Sequence, residues 1–137
     1  MKIFIDTSVF IGLFIPKESY HQEIIYKYRE YQEQRTPFFT SYYVLAELFT
    51  RLTYDFGKRA AEKAVYEIYK SIESKALTVL DIEETIFKKS TLILLKFAEH
   101  KISFTDATSY VLYKDFALDE IFTLDSDFKR MRVKTSF

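Results

Sequence analysis

What most limits the fold of this chain is the placement of its short β-type runs. Ile3-Phe4-Ile5, Phe38-Phe39-Thr40, Ala76-Leu77-Thr78-Val79-Leu80 and Glu120-Ile121-Phe122-Thr123 are apolar or β-branched stretches bounded by polar residues. One or two helical stretches separate each run from the next. Those intervals are far too long for hairpins, so the runs must pair in parallel through right-handed crossovers. A last short strand is expected at Met131 to Lys134. The expected architecture is α/β: a three-layer α/β/α sandwich on a mainly parallel sheet of about five strands. Residues 1–137 carry no repeat, no low-complexity segment and no interior linker, so they read as one domain.

Helical periodicity fills the intervals. After Asp6, residues Thr7 to Ile15 form a short apolar helix. Tyr20, Ile24, Tyr28 and Tyr31 recur at helical spacing between Glu18 and Gln34. Ser41 is placed to cap a helix running to about Tyr54, striped by Val44, Leu45, Leu48, Phe49 and Leu52. Asp55-Phe56-Gly57 reads as a turn, and Ala61, Ala64, Val65, Ile68 and Ile72 mark a strongly amphipathic helix. Asp81-Ile82-Glu83-Glu84 has capping-box-like spacing ahead of a helix from Ile82 to about His100, and Ser103 opens another reaching about Phe116.

Composition excludes several function classes. Twenty basic and twenty acidic side chains cancel, so no global field draws the protein to nucleic acid or membrane. There is no cysteine, which removes disulfides, thiol catalysis and thiolate metal sites and fits a cytoplasmic protein. Lys2 and the apolar run after it imitate a signal peptide. However, Asp6 interrupts the run and Pro16-Lys17-Glu18 offers no small-residue cleavage site. No apolar stretch approaches the roughly 20 residues that span a bilayer. A soluble protein without membrane contact is expected.

Five acids stand apart from the many on solvated helix faces. Asp6 ends the first strand. Glu47 borders the Val44–Leu48–Leu52 stripe, Asp106 sits in the first turn of its helix, and Asp125 and Asp127 come after the Ile121–Leu124 run. Each position also has a purely structural use. Asp6, Asp125 and Asp127 can cap the helix or turn after them, Asp106 can close a capping box with Ser103, and Glu47 can be an ordinary exposed acid. Asp81, which also follows a strand, reads as a cap only. The group is harder to explain that way, because two members terminate strands at the same sheet edge. If those strands are neighbours at the topological switch point, Asp6 and Asp125 face one crevice, where open α/β sheets bind ligands.

Converging carboxylates repel and raise one another's pKa values unless a cation joins them. The motif stretches supply no Arg or Lys for the purpose, so a divalent cation is the expected solution. An all-oxygen donor set without Cys or His favours Mg²⁺ or Mn²⁺ over Zn²⁺. One or two such ions activate water and stabilise the leaving oxygen of a phosphodiester. Thr7, Ser8 and Thr123 are placed to orient carboxylates or metal waters.

Asp6-Thr7-Ser8 after the first strand, Ser41 to Glu47-Leu48, Asp106-Ala107 and Thr123-Leu124-Asp125-Ser126-Asp127-Phe128 together resemble the PIN-domain ribonucleases. By length the chain is most similar to the VapC-type toxins of toxin–antitoxin pairs. The blocks occur in family order over essentially the whole chain, and no core acid is missing. The resemblance implies a five-stranded parallel sheet and Mg²⁺- or Mn²⁺-dependent endonucleolytic cleavage of RNA. It makes Asp6, Glu47, Asp106 and Asp125 the metal-binding acids, with Asp127 ranked below them. It also implies a protein antitoxin and a homodimer as partners. Two other functions fit the residues: a non-catalytic RNA- or protein-binding module, and another Mg²⁺-dependent phosphohydrolase such as a phosphatase. Against the second, Asp-Thr-Ser lacks the second Asp of the haloacid-dehalogenase Asp-x-Asp pattern.

Other features are weaker. His21 and His100 lie outside every acid block and read as surface residues. Lys129, Arg130 and Arg132 can meet substrate phosphates or form a solvated basic turn. Tyr42, Tyr43 and Tyr110 can stack on bases, although core or rim packing suits them better. The Tyr20–Tyr31 and Ala60–Ile72 helices suit either a partner surface or ordinary packing.

Overall fold

The computed structural model describes residues 1–137. Its strands are β1 (Ile3–Ile5), β2 (Phe38–Ser41), β3 (Leu77–Leu80) and β4 (Glu120–Phe122). Its helices are α1 (Thr7–Phe14), α2 (His21–Glu33), α3 (Tyr42–Arg51), α4 (Lys58–Glu73), α5 (Glu84–Lys96), α6 (Phe104–Asp115) and the single turn α7 (Asp127–Arg130). The sheet is wholly parallel, in the order β3-β2-β1-β4. The central strand β1 is apolar and buried along its whole length, as a parallel sheet covered on both faces requires. Ile3, Phe4 and Ile121 are fully buried with Val44, Leu48, Leu52, Ala64, Leu112 and Phe128 in one continuous core.

That strand order sets the position of the site. The chain moves outward from β1 to β2 and β3, then crosses back to add β4 on the other side of β1. The reversal therefore falls between β1 and β4, with Ile3 opposite Glu120 and Ile5 opposite Phe122. The switch-point condition for Asp6 and Asp125 to share a crevice is met. Thr40 Oγ1 donates to the Ile5 carbonyl at 2.9 Å and ties β2 to the last residue before Asp6.

Several local expectations are corrected. The fifth strand shrinks to one bridge between Ile121 and Thr135, because α7 and a left-handed Arg132 (φ 62) bend the chain away beforehand. The helix expected to reach Tyr54 leaves α geometry after Arg51 and finishes as a π-helical turn, Leu52–Phe56. Gly57 comes next at φ 99, a conformation that glycine adopts without strain. Asp81 is not a cap: its helix starts two residues later, with Glu83 in the N-cap position and no side-chain cap bond. The 82–100 helix ends at Lys96, and a separate 3₁₀ turn covers Ala98–His100. His21 is more than a surface residue, since its Nδ1 donates to the Gly12 carbonyl at 2.6 Å. At Gly12 a side chain would overlap Ile24, so glycine permits the close approach of α1 and α2. No helix is long and apolar enough to cross a membrane.

Candidate active site

Asp6 sits at the turn from β1 into α1, 5% exposed. It occupies the N-cap position, but its side chain makes no cap bond, and neither Thr7 nor Ser8 takes over that task. Both lie inside the first turn, and Thr7 Oγ1 is buried without a partner. The Asp6 carboxylate turns instead toward β4. Thr123 Oγ1 donates to Asp6 Oδ2 at 2.8 Å, and Ser8 Oγ approaches the same oxygen at 3.4 Å. These hydroxyls also fix the segment after β4: Thr123 Oγ1 accepts from the Asp125 amide at 2.9 Å, and Ser8 Oγ accepts from the Leu124 amide at 3.1 Å. One polar seam thus joins the ends of two neighbouring strands.

The remaining acids arrive from three other elements. Ser41 caps α3 by accepting from the Val44 amide at 3.1 Å. Val44, Leu45 and Leu48 are then buried, and Glu47 lies at the rim, its side chain 35% exposed. Asp106 does close a capping box: its Oδ2 accepts from the Ser103 amide at 3.1 Å, and its own amide donates to Ser103 Oγ at 3.0 Å. That structural use does not remove it from the crevice, because its charge is felt by Asp6. Asp125 Oδ1 accepts from the Asp127 amide at 2.8 Å, closing an Asx-type turn.

Electrostatics shows which acids share a field. Burial pushes the Asp6 carboxyl up to about 7; Asp106 adds to this, the Thr123 hydroxyl and Thr7 amide oppose it, and Glu47 contributes a further rise. Burial likewise pushes Asp106 up to about 6; Asp125 and Glu47 raise it further, against the stabilising bonds from Ser103. Asp125 is raised by burial and by Asp127, with Arg130 and the Asp127 amide acting the other way. Asp106 and Glu47 thus lie within electrostatic range of Asp6, and Asp125 lies within range of Asp106. No three acidic or histidine side chains, however, are close enough to form a ready-made metal cage.

Cations are nearer the motifs than the sequence suggested. Arg51 Nη1 lies 3.8 Å from Glu47 Oε1, one helical turn along α3, and Arg130 Nη1 donates to Asp127 Oδ1 at 2.8 Å. Both pairs lie at the rim and are worth little in stability. Asp127 is thereby paired with a cation, while Asp6 and Asp106 have none within ion-pair distance. Beside Glu47 an open groove of about 390 Å³ is lined by Tyr43, Ala46, Thr50, Arg51 and Thr105. A partly open cavity of about 190 Å³ lies apart from the candidate acids, among Phe10, Phe14, Tyr28, Phe38, Ile68 and Leu77, and its mainly apolar walls suit packing rather than chemistry.

Sequence reasoning overlooked one buried carboxylate. Glu120 opens β4 at the opposite edge of the sheet, 7% exposed, and accepts from Tyr31 Oη at 2.6 Å and Ser136 Oγ at 3.1 Å. Lys134 Nζ is 3.2 Å away. No local pattern marks the position, because its partners lie far off along the chain.

Known proteins give the same picture of the fold. The VapC20 toxin of Mycobacterium tuberculosis, a sarcin-ricin loop cleaving toxin, is 25% identical and superposes with a TM-score of 0.81 over 96% of this chain and 95% of that one. FitAcB from Neisseria gonorrhoeae (17% identity, TM-score 0.73, 97% and 95% covered) shares the fold. So does VapBC2 from Rickettsia felis, bound to a promoter DNA fragment (15% identity, TM-score 0.68, 99% and 98% covered). No curated protein matches the sequence. The PIN domain model matches residues 3–134, nearly the full length, and the chain belongs to the PIN-domain family.

Proposed function

We infer that this PIN domain is a divalent-metal-dependent endoribonuclease and the toxin of a toxin–antitoxin pair. The observation that carries the reading is Asp6, a carboxylate buried at the switch point, coupled to Asp106 and without a cationic partner. Burying an unpaired carboxylate is costly, and a resident cation offsets that cost. The donor chemistry fits a hard ion: the converging side chains offer only oxygen, and the chain has no cysteine. Mg²⁺ needs one or two carboxylates and keeps several waters, so the open spacing of the acids suits it without a closed cage.

Asp6 and Asp106, with Asp125 and Glu47 around them, would hold Mg²⁺ or Mn²⁺. A bound divalent ion supplies Lewis-acid polarisation of a phosphodiester and lowers the pKa of attacking water. The chain's own residues supply orientation. Thr123 and Ser8 fix Asp6 Oδ2, leaving its other oxygen without a side-chain donor. The Thr123 hydroxyl holds the Asp125 backbone at the same time, so the two acids move as a unit. Asp127, paired with Arg130, serves at the edge of the cluster. Because water rather than the ribose 2′-hydroxyl attacks, the products carry a 5′-phosphate. The likeness to VapC20 supports an RNA substrate, the likeness to VapBC2 supports a protein antitoxin, and the homodimer rests on the VapC-type resemblance alone. Such a protein would act in the cytoplasm.

The test is cleavage of structured RNA in Mg²⁺ or Mn²⁺, with 5′-end analysis of the products. Asp6→Asn should lose more activity than the roughly 10- to 100-fold that removing a supporting hydrogen bond costs. Unimpaired cleavage by that variant would sink the assignment. A parallel thermal melt should show Mg²⁺ raising the midpoint of the native chain but not of Asp6→Asn. A non-catalytic binding module would show neither response.

A further inference from the structure

Three separate elements send cations to one hollow. Lys96 at the end of α5, Lys114 in the last turn of α6, Arg130 at the end of α7 and Arg132 just after it line an open cavity of about 290 Å³. Phe97 and Tyr110 form its aromatic wall, edge to face with centroids 5.6 Å apart. In a chain whose charges cancel overall, four cations around one hollow are a local concentration that no global field explains. Asp127 neutralises Arg130, whereas Lys96, Lys114 and Arg132 have no acidic partner within ion-pair distance. Lys96 Nζ lies 5.3 Å from the Phe97 ring centre, and Lys114 Nζ lies 5.7 Å from that of Tyr110. These ammonium groups occupy the ring faces of the free protein.

The hollow is joined to the acid motifs through Arg130, which lines it and donates to Asp127 Oδ1 at 2.8 Å. Tyr110 and Lys114 come one and two turns after Asp106 on the same face of α6, roughly 6 and 12 Å along the helix axis. Arg130 lies one turn beyond Asp127. A polyanionic strand with one phosphate at the acids therefore meets this surface next.

We propose that the hollow is a nucleotide-binding subsite for the RNA strand flanking the scissile phosphate, with a base against Tyr110 and Phe97 and phosphates on Lys114 and Arg132. The subsite rests on the nuclease reading above. A stacking base takes the ring face, and the displaced ammonium moves to the adjoining phosphate. Aromatic faces joined to a basic track are what sequence-tolerant binding of single strands uses. An acidic peptide would engage the cations but gain nothing from the rings.

The test is fluorescence anisotropy with a labelled oligouridine of about twelve nucleotides, within the span one such site covers. The full chain carries Asp6→Asn so that the strand stays intact, and Mg²⁺ is present. Combining Lys114→Gln with Arg132→Gln should weaken binding and flatten the plot of log affinity against log salt by about 1.4, two phosphate contacts at roughly 0.7 each. Tyr110→Leu should weaken binding about five- to a hundredfold with the salt slope unchanged, and Tyr110→Phe should restore it. Circular dichroism melts confirm that each variant is folded. If the Asp6→Asn parent binds no RNA, the subsite falls, while the nuclease reading stands or falls with the cleavage assay of the native chain. If it binds and the three substitutions change nothing, the subsite alone falls. Loss with the lysine–arginine pair but not with Tyr110→Leu would overturn the nucleotide assignment in favour of an acidic polymer.

Discussion

Asp6 and Glu120 are buried carboxylates on neighbouring strands, at opposite ends of the same pair, and the protein treats them in opposite ways. Burial alone would raise both. At Glu120 it is outweighed by bonds from Tyr31, Lys134 and Ser136 and by the Lys134 charge, which hold the carboxyl below its ordinary range. At Asp6, two hydroxyls and a backbone amide are all the protein provides, and the carboxyl rises to about 7. Both acids accept hydrogen bonds, but burial outweighs them at Asp6 alone, where the neighbouring charge is Asp106 rather than a lysine. Glu120 is a structural acid that pins the C-terminal segment to α2 and β4. Asp6 is left short of positive charge at the edge where α/β sheets bind ligands. Incomplete neutralisation marks the functional end of the sheet better than burial does.

The largest expected effect arises from that shortage. With the metal chelated, Asp6 binds a proton in the native state between about pH 4 and 7 that the unfolded chain has already released. Stability therefore falls as pH rises through that window. At about 1.4 kcal/mol per pH unit, the difference from an ordinary aspartate amounts to roughly 4 kcal/mol at pH 8. Urea unfolding of the native chain and of Asp6→Asn should show the variant more stable at pH 8 and the two converging near pH 4. Matching profiles across the range would break the comparison at its functional end.

Glu120→Gln should do the reverse, at a smaller size. It removes a charged acceptor from Tyr31 and the partner of Lys134, costing about 1.5–3 kcal/mol at neutral pH. The sign is opposite because the folded pKa is depressed. The stabilisation from Glu120 is present above its unfolded value near 4.5 and is lost as pH falls through the folded one. The two carboxylates thus tilt the stability profile in opposite directions, Asp6 above about pH 4 and Glu120 below it. A Glu120→Gln variant whose urea midpoint matches the native chain at pH 7 would show that the cluster is ornamental.

This asymmetry was only half legible in the sequence. Asp6 and Asp125 stood out because each closes an apolar run, a strictly local signal, and parallel pairing then brought them together. Asp106 was visible both as a box partner of Ser103 and as a cluster member, and it is both. Asp81 carried the same local signal and failed, because its helix begins two residues late and leaves it exposed. In the sequence Glu120 is only a strand start; its meaning depends on Tyr31, 89 residues away, and on a C-terminal segment whose pattern suggests a strand. That segment's alternation at Met131–Lys134 looked β-like, but α7 and the left-handed Arg132 leave Thr135 alone beside Ile121. The rim pairs Glu47–Arg51 and Asp127–Arg130 were within reach, since both keep ordinary helical spacing. Of the aromatic hollow, Arg130, Arg132 and Tyr110 are visible in the sequence, but Lys96 and Lys114 join them from other parts of the chain, which no local pattern shows.

The smallest effect tests whether the acid edge is truly unneutralised. Arg51 is the nearest cation to the cluster, but its 3.8 Å pair with Glu47 lies at the surface, with 46% of the arginine side chain exposed. Its own second contact, Asp55 at 4.0 Å, divides its charge further. Exposed pairs of this kind are worth about 0.2–1 kcal/mol. Arg51→Gln should therefore change the neutral-pH stability of the metal-free chain by no more than that, and the change should fade as salt is added. The fall in stability between about pH 4 and 7 should keep its full size, because it originates at Asp6 and Asp106, neither of which has an arginine within ion-pair distance. If Arg51→Gln deepened that fall by more than about 1 kcal/mol, the rim cation would be screening the whole crevice. Asp6 and Glu120 would then differ in degree rather than in kind, and the acid edge would owe part of its charge balance to the protein rather than to a bound ion.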